Sequence, residues 1–236
     1  MPIALIMKTG ITLSIIIATL NEEEGIAKVI CSIPGEIRNI SEVIVVDVSS
    51  DLTPVIARRL GVKVIQEPKK GKGWQMRQGV KESKGEILVF LDGDGTDPAG
   101  YIPKLLEKLE EADIVLGSRS LEKFDEDDPN MRKVFKLYNM VARPMTLLFG
   151  LKVDDPLAGF RAIRRKDWDK LNLKSAGFDI ETEMNIKAIR QHFVIKQVRI
   201  PNLKRCGGAR GSKFLKSPKM WFKIFKMILR YRHHIR

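Results

Sequence analysis

Two carboxylates separated by one glycine, Asp92-Gly93-Asp94, close the apolar run Ile87-Leu88-Val89-Phe90-Leu91. Carboxylate oxygens are hard ligands suited to Mg²⁺ or Mn²⁺. A cation held there can bridge the two phosphates of a nucleoside diphosphate and offset the charge that grows on it as a leaving group. Gly93 and Gly95 permit the tight backbone and close approach that phosphate needs. Alone, such a tripeptide is ordinarily an acidic surface turn; its place at a strand end gives it chemical meaning. Asn21 and Glu22 follow a second apolar run, and Asp47 ends a third. Asp47 is a candidate acceptor for a nucleobase edge or a turn cap. Glu22 is placed to reach a nucleotide or to support a helix start. The loop Lys69-Lys70-Gly71-Lys72-Gly73 reads as a phosphate contact or as a solvated charge run.

The elements that must position these groups alternate. Thr12–Thr19 is β-branched and lacks polar alternation, the pattern of a strand buried on both faces. Asn21 is expected to cap a helix with Glu22, Glu23 and Glu24 in its first turn. Strands are expected at Val43–Val46, Val62–Ile65, Glu86–Leu91, Ile114–Gly117 and Val194–Ile200. Helices are expected at Pro54–Leu60, Trp74–Lys84, Tyr101–Glu111, Met131–Phe149 (interrupted at Pro144), Phe178–Gln191 and Pro218–Arg232. This β-α-β-α order predicts an α/β fold, Rossmann-like, with a mainly parallel sheet flanked by helices. Ligands then gather at the carboxyl ends of the strands, where Glu22, Asp47 and Asp92 would converge.

Hydrophobic residues are 44% of the 236, enough for a sizeable core and against wholesale disorder. One catalytic domain over 1–215 with a basic amphipathic C-terminal helix over 216–236 is expected. Cys31 and Cys206 sit in no CxxC or His/Cys cluster, which disfavours a zinc or disulfide framework and suits a reducing, cytoplasmic setting. The net charge of +13 calls for a polyanionic partner. No recognisable nucleic-acid motif accompanies it, so no nucleic-acid partner is expected. No apolar run reaches the roughly 18 residues that span a bilayer, and Met1–Met7 lacks a secretory leader's features. In the tail, Lys219, Lys223, Lys226 and Arg230 share a helical face, beside Trp221, Phe225, Ile228 and Leu229. Such a helix either lies on an anionic membrane surface as a peripheral contact or packs its apolar side on the domain.

The chain resembles family 2 glycosyltransferases of the GT-A fold, and within them the dolichyl-phosphate mannose synthase and polyprenyl-phosphate glycosyltransferase branch. The matching segments are Ser14–Glu22, Val45-Val-Asp47, Gly71-Lys-Gly73, Phe90–Asp94, Gly117-Ser-Arg119, Asp155–Arg161, Phe178–Glu183 and the Arg205–Lys213 loop. Eight motifs in family order across about residues 12–215 are far more specific than one. The resemblance implies that Thr19, Asn21, Glu22 and Asp47 hold the base and ribose of a GDP- or UDP-linked sugar. It implies that Asp92 and Asp94 bind Mg²⁺ or Mn²⁺, with Gly93 and Lys72 beside the donor. It implies phosphate contacts from Arg119 and Arg132, and an acceptor-side loop carrying Arg205, Ser212 and Lys213. Asp92, Asp94, Arg119 and Lys213 are the residues expected to serve catalysis. The chain departs from the family at Val48, where a second carboxylate is usual, and at Thr96, where close relatives often carry Gln. Its basic loop is longer, so Arg205 and Arg210 compete for one role.

The resemblance implies an inverting transfer to a polyprenyl or dolichyl phosphate. A hydroxyl acceptor requires a general base, for which Asp179, Glu181 and Glu183 are candidates. A lipid phosphate is already anionic and needs positive charge for positioning instead. A soluble acceptor is the alternative within glycosyl transfer. A sugar nucleotidyltransferase is disfavoured, because Asn21-Glu-Glu-Glu24 stands where its Gly-rich basic loop would follow the first strand.

Overall fold

In a computed structural model, residues 12–119, 144, 148–207 and 218–232 are described. The strands are β1 (Leu13–Thr19), β2 (Ser41–Asp47), β3 (Lys63–Gln66), β4 (Ile87–Asp92), β5 (Ile114–Arg119), β6 (Arg161–Arg164) and β7 (Ile195–Ile200). The helices are α1 (Ile26–Cys31), α2 (Gly35–Arg38), α3 (Thr53–Arg59), α4 (Lys72–Glu82), α5 (Ile102–Lys108), α6 (Arg165–Leu171), α7 (Ile180–Arg190) and α8 (Pro218–Arg232). Of the helix expected over Met131–Phe149, residues 144, 148 and 149 are described, and all three are helical.

The strands form one sheet in the order β3-β2-β1-β4-β6-β5-β7. Its β3-β2-β1-β4 half is parallel, as is the β5–β7 pair. β6 runs antiparallel between β4 and β5. The apolar strands are buried on both sides, as their unbroken β-branched runs require. Ile15, Ile17, Val43, Val45, Val89 and Leu91 face one layer, with α1, α3 and α5. Ile16, Ile44, Val46, Leu88 and Phe90 face the other, with α4, α6, α7 and α8. Gly79 lets α4 lie flat on β1, since a Cβ there would sit 2.4 Å from Ile16 Cγ2.

The expected cap at Asn21 is corrected. Asn21 takes a left-handed backbone (φ 52°), a region Asn tolerates. The chain turns over Glu23–Gly25, and α1 begins only at Ile26, with Gly25 at its cap. Asn21 pins the loop after β2 instead, its Oδ1 accepting from the Ser50 N–H at 2.9 Å.

The antiparallel strand β6 and helix α6 were absent from the sequence expectations. Arg161-Ala-Ile-Arg164 is four residues with a charge at each end and offers little periodicity. The reversal matters for the site. A strand that runs against its neighbours begins where they end, so the loop 155–160 is delivered to the carboxyl ends of β4 and β5.

Candidate active site

The strand pairing aligns Thr19 with Asp47 and Ala18 with Asp92, so the ends of β1, β2 and β4 lie side by side. The Asp47 carboxylate is buried in a brace. Thr19 Oγ1 and Ser49 Oγ donate to its Oδ1 at 2.7 and 2.6 Å, and the Ser49 N–H donates to its Oδ2 at 3.1 Å. Ser49 Oγ in turn accepts from the Asn21 N–H at 2.7 Å. Thr19, Asn21 and Asp47 are thus joined as one unit, with Asp47 capping the turn after β2.

The Asp92–Asp94 turn is set between two groups of cations. Lys72, in the first turn of α4, places Nζ 2.5 Å from Asp92 Oδ1 and 2.8 Å from Glu181 Oε1. Its side chain is only 10% exposed, so the solvated reading of the basic loop fails at Lys72. Burial disfavours its ammonium, but the charges of Asp92 and Glu181 outweigh that and raise its pKa above the ordinary lysine value. Burial likewise pushes the Asp92 carboxyl up; Lys72, Arg119 and Arg205 together outweigh it and hold Asp92 below the usual range. Glu181 goes the other way. Burial raises it, and Lys72 and Arg161 only partly oppose.

On the other side, Arg205 bridges Glu22 and Asp94. Its Nη2 is 2.5 Å from Glu22 Oε1 and its Nη1 3.1 Å from Asp94 Oδ2. The Cys206 N–H donates to the Asp94 carbonyl at 2.9 Å, which straps the segment after β7 over the turn. Asp94 Oδ1 accepts from the Thr96 N–H and hydroxyl at 3.0 and 2.7 Å, so Thr96 shapes the turn. Arg119, at the end of β5, is held by Asp155 at 2.7 Å. Arg132, Arg210, Ser212 and Lys213 lie outside the described residues.

Two residues that sequence reasoning passed over support this arrangement. Arg161 is wholly buried at the start of β6 and donates to the Ala158 carbonyl at 2.8 Å and to Asn185 Oδ1 at 3.2 Å, tying loop 155–160 to α7. Its signal was its place in the Asp155–Arg161 motif. Asp97 is buried behind the turn and accepts from the Asp92 N–H at 2.8 Å.

Burial, reinforced by the Asp92 charge, pushes the Asp97 carboxyl from 3.8 to about 8. The folded protein therefore holds a proton that the unfolded chain has released above its ordinary carboxylate range. Stability is expected to fall as pH rises from about 4 to about 8. Asp97→Asn retains an acceptor for the Asp92 N–H, so its urea midpoint measured in EDTA should lose that component of the decline.

Gly159 marks the closest approach of the loop. A Cβ there would lie 2.6 Å from Lys72 Nζ and 2.7 Å from Asp92 Oδ2. Both side chains are locked by their ion pairs and have little room to yield. Gly159→Ala is expected to cut turnover about 100-fold, the scale of an ångström-sized misplacement. A loss of less than threefold in steady-state rate would contradict this reading.

None of the candidate bases is offered to an acceptor. Glu181 is engaged by Lys72. Glu183 accepts from the Lys174 and Ser175 N–H groups and pairs with Lys187 at 2.7 Å. Asp179 is buried, with Lys223 Nζ 2.8 Å from its Oδ2.

A family model described as Glycosyl transferase family 2 matches residues 14–171. A dolichyl-phosphate hexose transferase of Haloferax volcanii is 30% identical over 226 residues, covering 93% of this chain and 95% of that protein. A dolichol-phosphate mannosyltransferase of Pyrococcus furiosus is 33% identical over 183 residues, covering 74% of this chain and 52% of its own length. Among solved structures, glucosyl-3-phosphoglycerate synthase from Mycobacterium tuberculosis, in complex with Mn²⁺, uridine diphosphate and phosphoglyceric acid, has a TM-score of 0.77 at 24% identity. The match covers 95% of this chain and 80% of that one, and the likeness is one of fold.

Proposed function

The chain belongs to glycosyl transferase family 2 and is a glycosyltransferase, and on that premise we propose that it moves a hexose, with inversion, from a nucleotide-diphosphate sugar to a polyprenyl phosphate. The observation that carries the reading is the ring of cations around the Asp92–Asp94 turn. Lys72, Arg119 and Arg205 all act on Asp92, and Arg205 also pairs with Asp94. Cations so placed suit a diphosphate on one side and an anionic acceptor on the other.

The turn suits a divalent cation. Asp92 is held ionised, Asp94 is partly exposed, and both offer hard oxygens. Among the described residues no three His, Cys, Asp or Glu side chains form a ready-made cage. A Mg²⁺-type ion tolerates this, because it takes few carboxylates and completes its shell with phosphate oxygens and water. When bound, the cation would offset the charge developing on the nucleoside diphosphate.

The chain's own residues do the rest. Lys72, gripped by Glu181, holds the Asp92 carboxylate in place. The brace of Thr19, Asn21 and Asp47 shapes the edge offered to the nucleoside. Arg119, set by Asp155, and Arg205 orient phosphate oxygens. An acceptor phosphate is already anionic at neutral pH, so the commitment of Asp179, Glu181 and Glu183 to other partners removes nothing the reaction needs. The relatives named for dolichyl phosphate support this acceptor.

A thermal-shift panel of GDP-mannose, UDP-glucose and UDP-GlcNAc, with and without Mg²⁺ or Mn²⁺, tests the donor. Product analysis with a polyprenyl phosphate tests the transfer. Metal-dependent donor binding and release of a nucleoside diphosphate are expected. Pyrophosphate release would sink the reading, and turnover on a soluble phosphorylated acceptor alone would overturn its lipid half.

A further inference from the structure

Helix α8 divides its side chains. Trp221, Ile224 and Ile228 are buried in the layer shared with α7. Phe222, Phe225 and Leu229, which lie on a different stripe, are 69%, 47% and 40% exposed. Each is followed by an exposed cation, Lys223, Lys226 or Arg230. The spacing 222, 225, 229 is that of one continuous helical stripe. Scattered apolar side chains on a surface are ordinary, but a contiguous stripe with two phenylalanines marks a contact surface.

We propose that this outer face of α8 docks on an anionic lipid bilayer surface. Phe222, Phe225 and Leu229 enter the acyl boundary, while Lys226 and Arg230 meet lipid phosphates. The proposal deepens the reading of a lipid-phosphate acceptor and rests on it. Charge complementarity selects the occupant: the chain carries +13, and α8 contains no acidic residue. A basic amphipathic helix gains from both terms, burial of its apolar stripe and attraction of its cations to anionic headgroups.

The same helix is tied to the reaction site. Lys223 pairs with Asp179, the residue that opens α7. Two residues further on, Glu181 grips Lys72, which holds Asp92. Ion pairs and one helix start thus join the docked surface to the Asp92–Asp94 turn.

Flotation of the full chain with phosphatidylglycerol and phosphatidylcholine vesicles tests this, paired with turnover on a short-chain, water-soluble polyprenyl phosphate. Wild-type protein should float with the anionic vesicles, less so at high salt, and not with the neutral ones. Phe222→Ser/Phe225→Ser should abolish flotation. Lys226→Ser/Arg230→Ser should weaken partitioning about 30-fold, the effect of two cations at an anionic surface. Both variants should keep wild-type turnover on the short-chain acceptor, which also reports that they are folded. No wild-type flotation, or flotation indifferent to these substitutions, overturns the docking face while short-chain turnover leaves the acceptor reading standing. Flotation without turnover on any lipid phosphate supports the docking face and overturns the acceptor reading. A stable dimer that Phe222→Ser/Phe225→Ser splits would assign the face to a second copy and overturn the proposal.

Discussion

Asp94→Ala is expected to lower glycosyl transfer about 10³-fold, roughly 4 kcal/mol of transition-state stabilisation, while leaving the fold intact. The Asp94 side chain is 14% exposed and sits on a turn outside the packed layers, so little apolar packing depends on it. What it offers is a carboxylate beside Asp92 and two accepted hydrogen bonds from Thr96. On the proposed role of the turn, removing it would take away one of the two hard oxygen donors available to a cation that balances the leaving diphosphate. Arg205 keeps its second partner, Glu22, so the strap after β7 is weakened and not released. Titration calorimetry with the donor should show metal-dependent affinity in wild type and metal-indifferent affinity in the variant. Asp94→Asn separates the roles, because the amide oxygen can still accept from Thr96 while the charge is gone. Full activity in Asp94→Asn would show that the charge of Asp94, and a metal held by it, are dispensable.

Lys72→Met is expected to damage stability as well as turnover. It leaves the buried Glu181 carboxylate, and the partly exposed Asp92 carboxylate beside it, without the ammonium that lies between them. Breaking a buried pair from one side costs about 3–5 kcal/mol, because the remaining charge has lost its partner and cannot regain water. The variant answers by taking up protons. Burial already raises Glu181, which rises further without Lys72, and Asp92 loses the largest of the charges that hold it low. Groups whose folded pKa lies above the unfolded value lose stability as pH rises through that interval. The deficit of Lys72→Met should therefore shrink toward acid pH, where both carboxyls are protonated in either state. Lys72→Met/Glu181→Gln should recover part of the stability, as one buried charge is removed. It should not recover turnover, since Asp92 remains without the group that holds it. Urea unfolding at several pH values checks both statements; a pH-independent deficit would contradict them.

Much of this site is legible along the chain. The strands that end at Thr19, Asp47 and Asp92 are continuous apolar runs, and such runs have few alternatives to a doubly covered parallel strand. Once they are parallel neighbours, their carboxyl ends must share an edge, and the polar residue after each must face the same space. The expected α8, Pro218–Arg232, coincides with the observed helix because its 3.6-residue periodicity is strong. Asn21 was misread because a capping residue and a left-handed turn residue are the same residue type, and only the Ser49–Ser50 loop beside it selects between them.

The sequence by itself determined which groups are available: two hard carboxylates on a tight turn, cations beyond them, and strands stiff enough to carry both to one edge. Tertiary structure alone decided their partners. Lys72 and Glu181 are 109 positions apart by their numbers, and Arg205 and Asp94 are 111 apart. No local periodicity records such pairs, because they depend on where β6 reverses and where the segment after β7 crosses the sheet. The protonation of Asp97 and the ionisation of Asp92 were decided there too. Each depends on burial combined with neighbouring charge, which opposes burial at Asp92 and reinforces it at Asp97, and both exist only once the chain has folded.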